Sequence, residues 1–350
     1  MNHKHMSLAV RYRPKIFSDV VEQDSTKVIL QQQLKTGEFQ HSYLFVGGAG
    51  TGKTTCARIF ADEINKHEGT PIELDAASNN GVDDVRNIIQ QAKTKSLDSE
   101  YKVFIIDECH SLSNTAWQAF LKLIEEPPAK SIFIFCTTNP EKIPKTILSR
   151  VQRFDFKRIS QDGIVDRLDY ICANEWSIAK DDRCLPHREA LEYLAKLADG
   201  GMRDAITLMD KCLSYSKDLT VENIVKALGV ADYDTMKELT DALWYKSDNT
   251  KIIDIIERIH SSGKDLKQFI RQYLNFVLDI KKFIVLNEFD YLSIPETEEM
   301  SDWLKRHTDY DEVSDWLDLL IKINSEIKYD GSPKYMIEAM LLGGLNDRSE

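Results

Sequence analysis

Residues 47–55, Gly-Gly-Ala-Gly-Thr-Gly-Lys-Thr-Thr, match the phosphate-binding pattern G-x-x-x-x-G-K-[ST]. They directly follow an apolar run at 43–46 and open a helix-like segment at 54–64. Glycines in this context let backbone N–H groups curve around phosphates, and the helix N-terminus adds the positive end of its dipole. Lys53 then reaches the β- and γ-phosphates, while the Thr54 hydroxyl ligates Mg²⁺. The expected nucleotide site consists of Gly47, Gly48, Gly50, Thr51, Gly52, Lys53, Thr54 and Thr55.

A second apolar run, 102–107, ends in two adjacent carboxylates, Asp107 and Glu108. A nucleotide hydrolase needs one carboxylate near Mg²⁺ and another near the attacking water. We assign the metal role to Asp107, together with Thr54, and the general-base or water-orienting role to Glu108. An acidic pair at a strand end is common by chance, but combined with the phosphate-binding loop it indicates nucleotide hydrolysis.

Residues 107–110, Asp-Glu-Cys-His, also match the acidic box of a large helicase superfamily. Such a helicase needs a second RecA-like domain with an arginine-rich motif of the Q-x-x-G-R-x-x-R kind. No such motif follows in this sequence. We therefore interpret His110 as incidental to that superfamily.

Arg150 closes the segment Thr-Ile-Leu-Ser-Arg at 146–150, beyond the polar strand end at Thr137 to Asn139. Polar groups at the tip of the strand beside the loop-bearing strand can sense a γ-phosphate. Arg150 lies well past that tip, which makes it a poor ligand for ATP bound to its own chain.

These residues need a sheet to position them, and the sequence predicts one. Short apolar runs at 43–46, 71–74, 102–107, 131–138 and 152–156 alternate with helix-like stretches. Continuous apolar strands indicate a parallel sheet covered by helices on both faces. After about residue 158 the patterns are helical, so the fold class is α/β followed by all-α. The expected domains are 1–158, 159–218 and 219–350.

The longest helical pattern, 266–280, carries an apolar stripe. The core of a helical bundle explains it, and packing against sister subunits is the alternative. The stripe consists of Leu266, Phe269, Ile270, Tyr273, Phe276 and Val277.

Composition excludes several other classes of protein. The 42% hydrophobic content favours a soluble globular protein, and the net charge of −12 leaves room only for a local basic face. The two nearest of the six cysteines are Cys172 and Cys184, so no zinc spacing or C-x-x-C pair exists. No apolar run approaches the roughly 20 residues that span a bilayer. We expect an intracellular protein without membrane insertion.

Six segments together resemble one family, the bacterial DNA polymerase III gamma/tau clamp-loader subunits, which are DnaX-type AAA+ ATPases. The segments occur in order and at family-like spacing, and they include "GGAGTGKTT", "DECHSLSNTAWQAFLKLIEEPP" and "GGMRDA". They lie at 11–23, 41–55, 72–86, 102–128, 135–159 and 198–210.

The resemblance implies roles for further residues. Thr138 would be the first sensor, Arg203 the second sensor reaching the phosphates from a helical lid, and Arg150 an arginine finger for the ATP site of the adjacent subunit. The three domains would be a nucleotide-binding domain, the lid and an oligomerising collar. The adenine would be framed by Arg11, Tyr12, Arg13, Pro14, Val20 and Val21.

The implied cofactors are ATP and Mg²⁺, and the implied partners are a sliding clamp, primer–template DNA and other loader subunits in a homo- or heteromeric pentamer. The location would be the cytoplasm of a bacterium, or of an infected host if a phage encodes the chain. For DNA contact, Arg86, Lys93 and Lys95 are candidates for sequence-independent backbone binding, although each could equally be a solvated helix charge.

The sequence departs from the family pattern at three places. Ala61 to Pro71 replaces a four-cysteine zinc module, so we expect no zinc. Val151 stands where the family has cysteine after the finger arginine, which leaves the charge in place. The chain also ends soon after the expected collar, which is typical of a shortened or phage-encoded form.

Two alternative functions remain at this point. A non-hydrolysing clamp-loader subunit would keep Arg150 but carry a degraded phosphate-binding loop, and the intact Gly52-Lys53-Thr54 argues against it. Another AAA+ machine, such as a branch-migration motor, would carry a C-terminal winged helix with β-hairpin signals. Residues 220–350 show almost none.

The missing cysteine module gives a first test. We expect chelators to leave the fold of the purified protein unchanged, because no four-cysteine site links metal binding to folding. Circular dichroism and thermal unfolding with and without EDTA measure this, and elemental analysis measures bound zinc. Stoichiometric zinc, or unfolding by the chelator, would contradict the prediction.

Overall fold

The computed structural model describes residues 6–96, 98–179, 186–228, 233–246, 248–263, 265–289, 291–294, 296–307, 313–327 and 332–343. The chain forms two compact units, Met1–Asp210 and Lys211–Glu350. The expected domain boundaries after residues 158 and 218 stay predictions, because compactness alone does not define them.

The first unit contains a five-stranded sheet in which every strand pair is parallel. Its order is β2-β3-β4-β1-β5, so the strand before the glycine-rich loop lies between β4 and β5. The prediction of a parallel sheet is confirmed. The strands are β1 (Ser42–Gly47), β2 (Ile72–Asp75), β3 (Lys102–Asp107), β4 (Ser131–Thr137) and β5 (Gln152–Phe156).

Helices cover both faces of this sheet. The helices up to and across the end of this unit are α1 (Leu8–Arg11), α2 (Asp24–Thr36), α3 (Lys53–Ile64), α4 (Val82–Ala92), α5 (Asn114–Glu125), α6 (Lys145–Leu148), α7 (Gln161–Ala179), α8 (Arg188–Leu197) and α9 (Met202–Tyr215). Of these, α2 and α3 pack on one face of the sheet, and α4, α5 and α6 pack on the other. Within the described residues of this unit, 3-10 turns lie at Phe17–Asp19, Cys109–Ser111 and Pro140–Lys142.

Two apolar clusters explain why the central strands are apolar at every interior position. Alternate residues such as Leu44 and Phe133 pack with α4 and α5 on one face, whereas Tyr43 and Ile134 pack with α3 on the other. All seven residues of β4 are buried. A strand with both faces covered cannot place a polar side chain in water, so its sequence loses the usual alternation.

The end of β1 depends on a glycine. A Cβ at Gly47 would lie 2.5 Å from the carbonyl oxygen of Phe156 on the neighbouring β5. Only glycine permits β1 and β5 to pair this closely where the phosphate-binding loop begins.

The described part of the second unit is helical. Its helices are α10 (Val221–Leu228), α11 (Tyr233–Asp241), α12 (Asn249–Ser261), α13 (Leu266–Leu286), α14 (Glu298–Arg306), α15 (Val313–Glu326) and α16 (Pro333–Gly343), and a π-helical turn spans Ala242–Lys246. The six residues of the predicted stripe on α13 are all buried in the core of this unit. The all-α character expected of the C-terminal part is confirmed. Within the described residues, no helix is long and apolar enough to cross a membrane.

A buried carboxylate connects α13 to the segment that follows it. Asp279 is 1% exposed, and its Oδ2 accepts hydrogen bonds from Ser293 N at 2.8 Å, from Ile294 N at 3.2 Å and from Ser293 Oγ. Its Oδ1 accepts from Lys282 Nζ at 3.0 Å. Both backbone donors lose their partner if this carboxylate is removed.

We therefore expect Asp279→Ala to lower the free energy of unfolding of the second unit by about 2–4 kcal/mol, because buried donors stay unsatisfied. Hydrogen-exchange mass spectrometry across a urea titration measures this for peptides of residues 266–294. The control is Asp318→Ala, an exposed carboxylate on α15, for which we expect a change within about 0.5 kcal/mol. Equal effects of both variants would show that the Asp279 contacts contribute little.

Candidate nucleotide-binding site

The glycine-rich loop connects β1 to α3, as its sequence context predicts. Gly50 and Gly52 have φ angles of +69° and +102°, a region that disfavours other residues. A Cβ at Gly50 would lie 3.0 Å from the Cα of Gly201, and Met202 N donates to Gly50 O at 3.1 Å. The loop therefore touches the start of α9, which brings the helical segment after β5 to the nucleotide site.

Lys53 is buried within this loop although its side chain is charged. It is 6% exposed, and its Nζ donates to Gly47 O at 2.9 Å and to Gly48 O at 2.7 Å. Burial lowers the pKa of Lys53, an effect that nearby Cys136, Glu108 and Asp107 oppose. A buried ammonium bonded only to neutral carbonyls favours an anion at the loop.

The two predicted metal ligands are in direct contact. Thr54 lies in the first turn of α3 and Asp107 at the end of β3, and Thr54 Oγ1 donates to Asp107 Oδ2 at 2.8 Å. A hydroxyl and a carboxylate side by side provide the hard oxygen ligands that Mg²⁺ prefers, next to a loop suited to phosphate. The residues present thus fit a magnesium–nucleotide complex.

Glu108 is held by two neighbouring side chains. It has a φ of +46°, and its Oε2 accepts from Thr138 Oγ1 at 3.1 Å and lies 3.2 Å from His110 Nδ1. His110 Nδ1 also lies 3.2 Å from Thr137 Oγ1. The predicted sensor Thr138 therefore contacts the predicted base. From sequence we interpret His110 as incidental to the helicase superfamily, and in the structure it lies inside this network. The spacing between Glu108 and His110 in the sequence does not by itself indicate their contact.

One cavity collects most of the predicted nucleotide contacts. Those that line it are Tyr12, Arg13, Pro14, Val20, Val21, Gly50, Thr51, Gly52, Lys53, Thr54, Thr55, Asp107, Glu108 and Arg203. Predicted site residues that lie outside the lining are Arg11, Gly47, Gly48, Thr138 and Arg150. The lining also contains residues that sequence reasoning missed: Ala9, Asp19, Ala49, Ile159, Arg167, Met202, Asp204 and Ile206.

Arg11 lies outside the cavity lining and pairs with Glu175 on α7. Its NH2 lies 2.8 Å from Glu175 Oε2, and the Tyr12 hydroxyl donates to Glu175 Oε1 at 2.6 Å. Burial and this hydrogen bond raise the pKa of Tyr12. Arg167, also on α7, donates to Tyr12 O at 3.0 Å and lines the cavity. These contacts hold the N-terminal segment against α7, and Arg11 is one of the residues that make them.

Arg150 lies just after α6, away from the cavity of its own chain. Its guanidinium donates to Thr146 O at 2.8 Å and to Ser149 Oγ at 3.1 Å, and pairs with Glu125 Oε1 at 2.9 Å. The side chain is 39% exposed. An exposed ion pair of this kind contributes little stability and is easily exchanged for another anion.

The candidate DNA contacts are surface charges. Arg86 NH1 donates to Asp83 Oδ1 at 2.8 Å within α4, and Lys93 and Lys95 are exposed beyond the end of that helix. Nothing in their surroundings distinguishes them from ordinary solvated residues.

Three protein-family models match the chain in succession. DNA polymerase III, delta subunit, matches residues 70–160, which lie outside the phosphate-binding loop. DNA polymerase III clamp loader subunit, ATPase lid domain, matches 164–218. DNA polymerase III subunits gamma and tau domain III matches 219–343.

Solved structures with similar folds include the Thermotoga maritima RuvB Holliday junction branch migration motor. It has a TM-score of 0.50 and 19% identity, and the match covers 75% of this chain and 90% of that one. A single-residue variant of the same protein has a TM-score of 0.51 and 18% identity, covering 86% and 99%. At this identity the likeness concerns the fold alone.

Curated relatives agree with the family models over most of the chain. DNA polymerase III subunit tau of Bacillus subtilis is 35% identical over 95% of this chain and 62% of the relative. The Escherichia coli tau subunit is 32% identical over 77% of this chain and 44% of the relative. The chain thus spans less than two thirds of the length of these relatives. The models of the clamp-loader lid and of gamma and tau domain III match consecutive parts of the chain, and the tau relatives match most of its length. The chain belongs to the DNA polymerase III gamma/tau family of DnaX-type clamp-loader subunits.

Proposed function

We propose that this chain is an ATP-hydrolysing motor subunit of a sliding-clamp loader, which binds and hydrolyses ATP to open the clamp and place it on primer–template DNA. The observation that carries the proposal is the 2.8 Å contact between Thr54 and Asp107, next to Glu108 and the buried Lys53. A subunit that neither binds nor hydrolyses nucleotide has no need for this arrangement. The match of residues 219–343 of this chain to gamma and tau domain III supports the assignment to a clamp loader rather than to another AAA+ machine.

Each site residue has a chemical task in this proposal. Lys53 leaves the carbonyls of its own loop and neutralises phosphate charge, while Thr54 and Asp107 hold Mg²⁺. Bound Mg-ATP supplies the phosphoanhydride that is cleaved. Glu108 orients water and accepts its proton, and Thr138 holds the Glu108 carboxylate in place.

The remaining contacts position the nucleotide. Arg203, at the start of α9, reaches the phosphates from the lid. The adenine packs against the segments containing Tyr12 to Pro14 and Val20 to Val21, which line the cavity. Arg11 supports this segment through Glu175 instead of touching the base.

For Arg150 we propose a role in the ATP site of an adjacent subunit. Its position outside its own cavity lining and its exposure support this assignment. In that role Arg150 exchanges Glu125 for the γ-phosphate of a neighbour and stabilises charge that develops during transfer.

We further propose three domains, 1–158, 159–218 and 219–350, with the last forming the collar of a pentameric loader. The family-model ranges 164–218 and 219–343 support the second and third. The partners are the clamp, DNA and other loader subunits, and the cofactors are ATP and Mg²⁺ without zinc.

The proposal predicts an ATPase that responds to its partners. We expect low activity for the protein with its loader subunits, and higher activity when a bacterial sliding clamp and primer–template DNA are both added. Lys53→Ala should weaken nucleotide binding by about 10- to 100-fold, because a buried charge-assisted contact is lost. Glu108→Gln should bind ATP normally but not hydrolyse it. A phosphate-release assay and nucleotide titrations measure these effects.

Two outcomes would count against the assignment. Undiminished affinity of Lys53→Ala would remove the phosphate-binding role of the loop. Stimulation by forked duplex together with strand separation would indicate a DNA motor, the alternative suggested by the shared fold with RuvB.

Arg150 provides a separate test of assembly. We expect Arg150→Ala to bind ATP but to hydrolyse it about 10³–10⁵ times more slowly, as for other fingers supplied by a neighbour. Co-expressing Arg150→Ala with Lys53→Ala should restore some activity, because Lys53→Ala can donate Arg150 to the intact loop of its neighbour. If mixed assemblies confirmed by mass stay inactive, either the finger does not act on a neighbour or two copies of this chain are never adjacent.

A further inference from the structure

Glu22 and Gln23, between the cavity-lining Val21 and helix α2, have an unusual backbone. Their φ angles are +54° and +57°, although neither residue is glycine. This left-handed conformation is unfavourable for residues other than glycine and persists only where surrounding contacts hold it. The contacts of these two side chains therefore have to explain the conformation.

Gln23 links the strand β5 to the phosphate-binding loop. Its Oε1 accepts from Lys157 N at 3.1 Å, and its Nε2 donates to Lys157 O at 2.7 Å. The same Nε2 donates to Thr51 O at 3.4 Å. Gln23 is 7% exposed, so its amide is largely shielded from water. One amide thus binds the residue directly after β5 and a residue of the nucleotide loop.

Glu22 binds the start of helix α7, three residues further along. Its Oε1 accepts from Ser160 N at 3.1 Å and from Ser160 Oγ. Ser160 Oγ in turn accepts from Gly163 N at 3.1 Å, which is the bond of a helix N-cap. The carboxylate of Glu22 therefore fixes the side chain that begins α7.

Glu22 and Gln23 in this way hold residues 157–160, which connect β5 to α7. This connection leads into α7 and contacts the residues before α9, and both helices bring cationic side chains to the cavity. Ile159 lines the cavity, and its N–H donates to Gly200 O at 3.1 Å beside the start of α9. Arg167 on α7 and Arg203 on α9 both line the cavity. A shift of this connection would move both arginines relative to the loop that contains Thr51.

We propose that Glu22 and Gln23 are positioning residues, which set the connection 157–160 against the phosphate-binding loop so that Arg203 meets the phosphates. The inference rests on the proposed ATP-binding function. It extends that function by giving Glu22 and Gln23 control of the position of the lid. These two residues lie outside the phosphate-binding loop and outside the acidic pair. Neither side chain lines the cavity, so both act through the backbone that they hold.

The test is a double-mutant cycle on the full chain, with Mg-ATP affinity as the readout. We expect Gln23→Ala to weaken binding about 10-fold in the wild-type background and less than about 2-fold in the Arg203→Ala background. The effects of the two mutations should be coupled, because displacing Arg203 and removing it abolish the same contact with the phosphates. A merely structural Gln23 would weaken binding equally in both backgrounds, and that result would overturn the proposal.

A glutamine on α2, the helix that follows Gln23, provides a matched control. Gln33 on α2 donates to Gln152 Oε1 at 2.9 Å and accepts from the Tyr43 hydroxyl at 2.9 Å, at the opposite end of β5 from Lys157. Gln33→Ala also removes an amide that joins α2 to β5, but far from the loop. We expect it to change affinity less than about 2-fold in either background.

A second readout separates this inference from the assignment of Arg203. Hydrogen exchange of residues 157–167 should slow when Mg-ATP binds the wild-type chain, and Gln23→Ala should lose most of this protection at saturating nucleotide. If Arg203→Ala leaves affinity unchanged, the proposed role of Arg203 is wrong, and retained protection in Gln23→Ala would then refute the positioning role by itself. Should Gln23→Ala not fold, Glu22→Gln replaces it, with an expected loss of about 3-fold in affinity.

Discussion

The close pairing of β1 with β5 is the constraint on which the nucleotide site depends. Gly47 has no Cβ, which permits contact with the Phe156 carbonyl, and β1 is held between β4 and β5 by parallel pairing. The carboxyl ends of the parallel strands then meet at one edge. This edge presents the glycine-rich loop, the acidic pair and the polar end of β4 to a common space. A bulkier residue at position 47 would separate the strands where the loop begins.

The charged groups at this edge include both a buried cation and an acidic pair. Lys53 is buried and bonded only to carbonyls within the loop, so burial lowers its pKa. Asp107 keeps a carboxylate against the Thr54 hydroxyl. Triphosphate with Mg²⁺ would give each group an opposite charge. The site is therefore organised for a ligand that carries both signs, in agreement with the proposed ATPase function.

Hydrogen bonds connect the phosphate-binding loop and the end of β5 to the segments that follow β5. Met202 N bonds to Gly50 O, Ile159 N bonds to Gly200 O, and Gln23 joins Lys157 to Thr51. Hydrogen bonds depend on distance and angle much more steeply than apolar contacts do. These contacts therefore fix the start of α9 and the residue after β5 closely relative to the phosphate-binding loop.

By itself the sequence determined the parallel α/β fold, the helical C-terminal part and the core of the phosphate site, because these depend on local patterns. An apolar run marks a buried strand, and the spacing of Gly52, Lys53 and Thr54 is fixed by one loop and one helix turn. The buried stripe of α13 follows in the same way from helical periodicity.

Only the tertiary structure decided which distant residues meet. Arg11 pairs with Glu175 instead of lining the cavity, Arg167 joins the lining, and His110 contacts Glu108. Chain direction after each strand and the packing of α7 set these contacts, and no local spacing encodes them. Long polar side chains can point to several partners at similar cost, so the packed neighbours select the partner. That is why the loop was predictable from local spacing, whereas the contacts of Arg11, Arg167 and His110 were not.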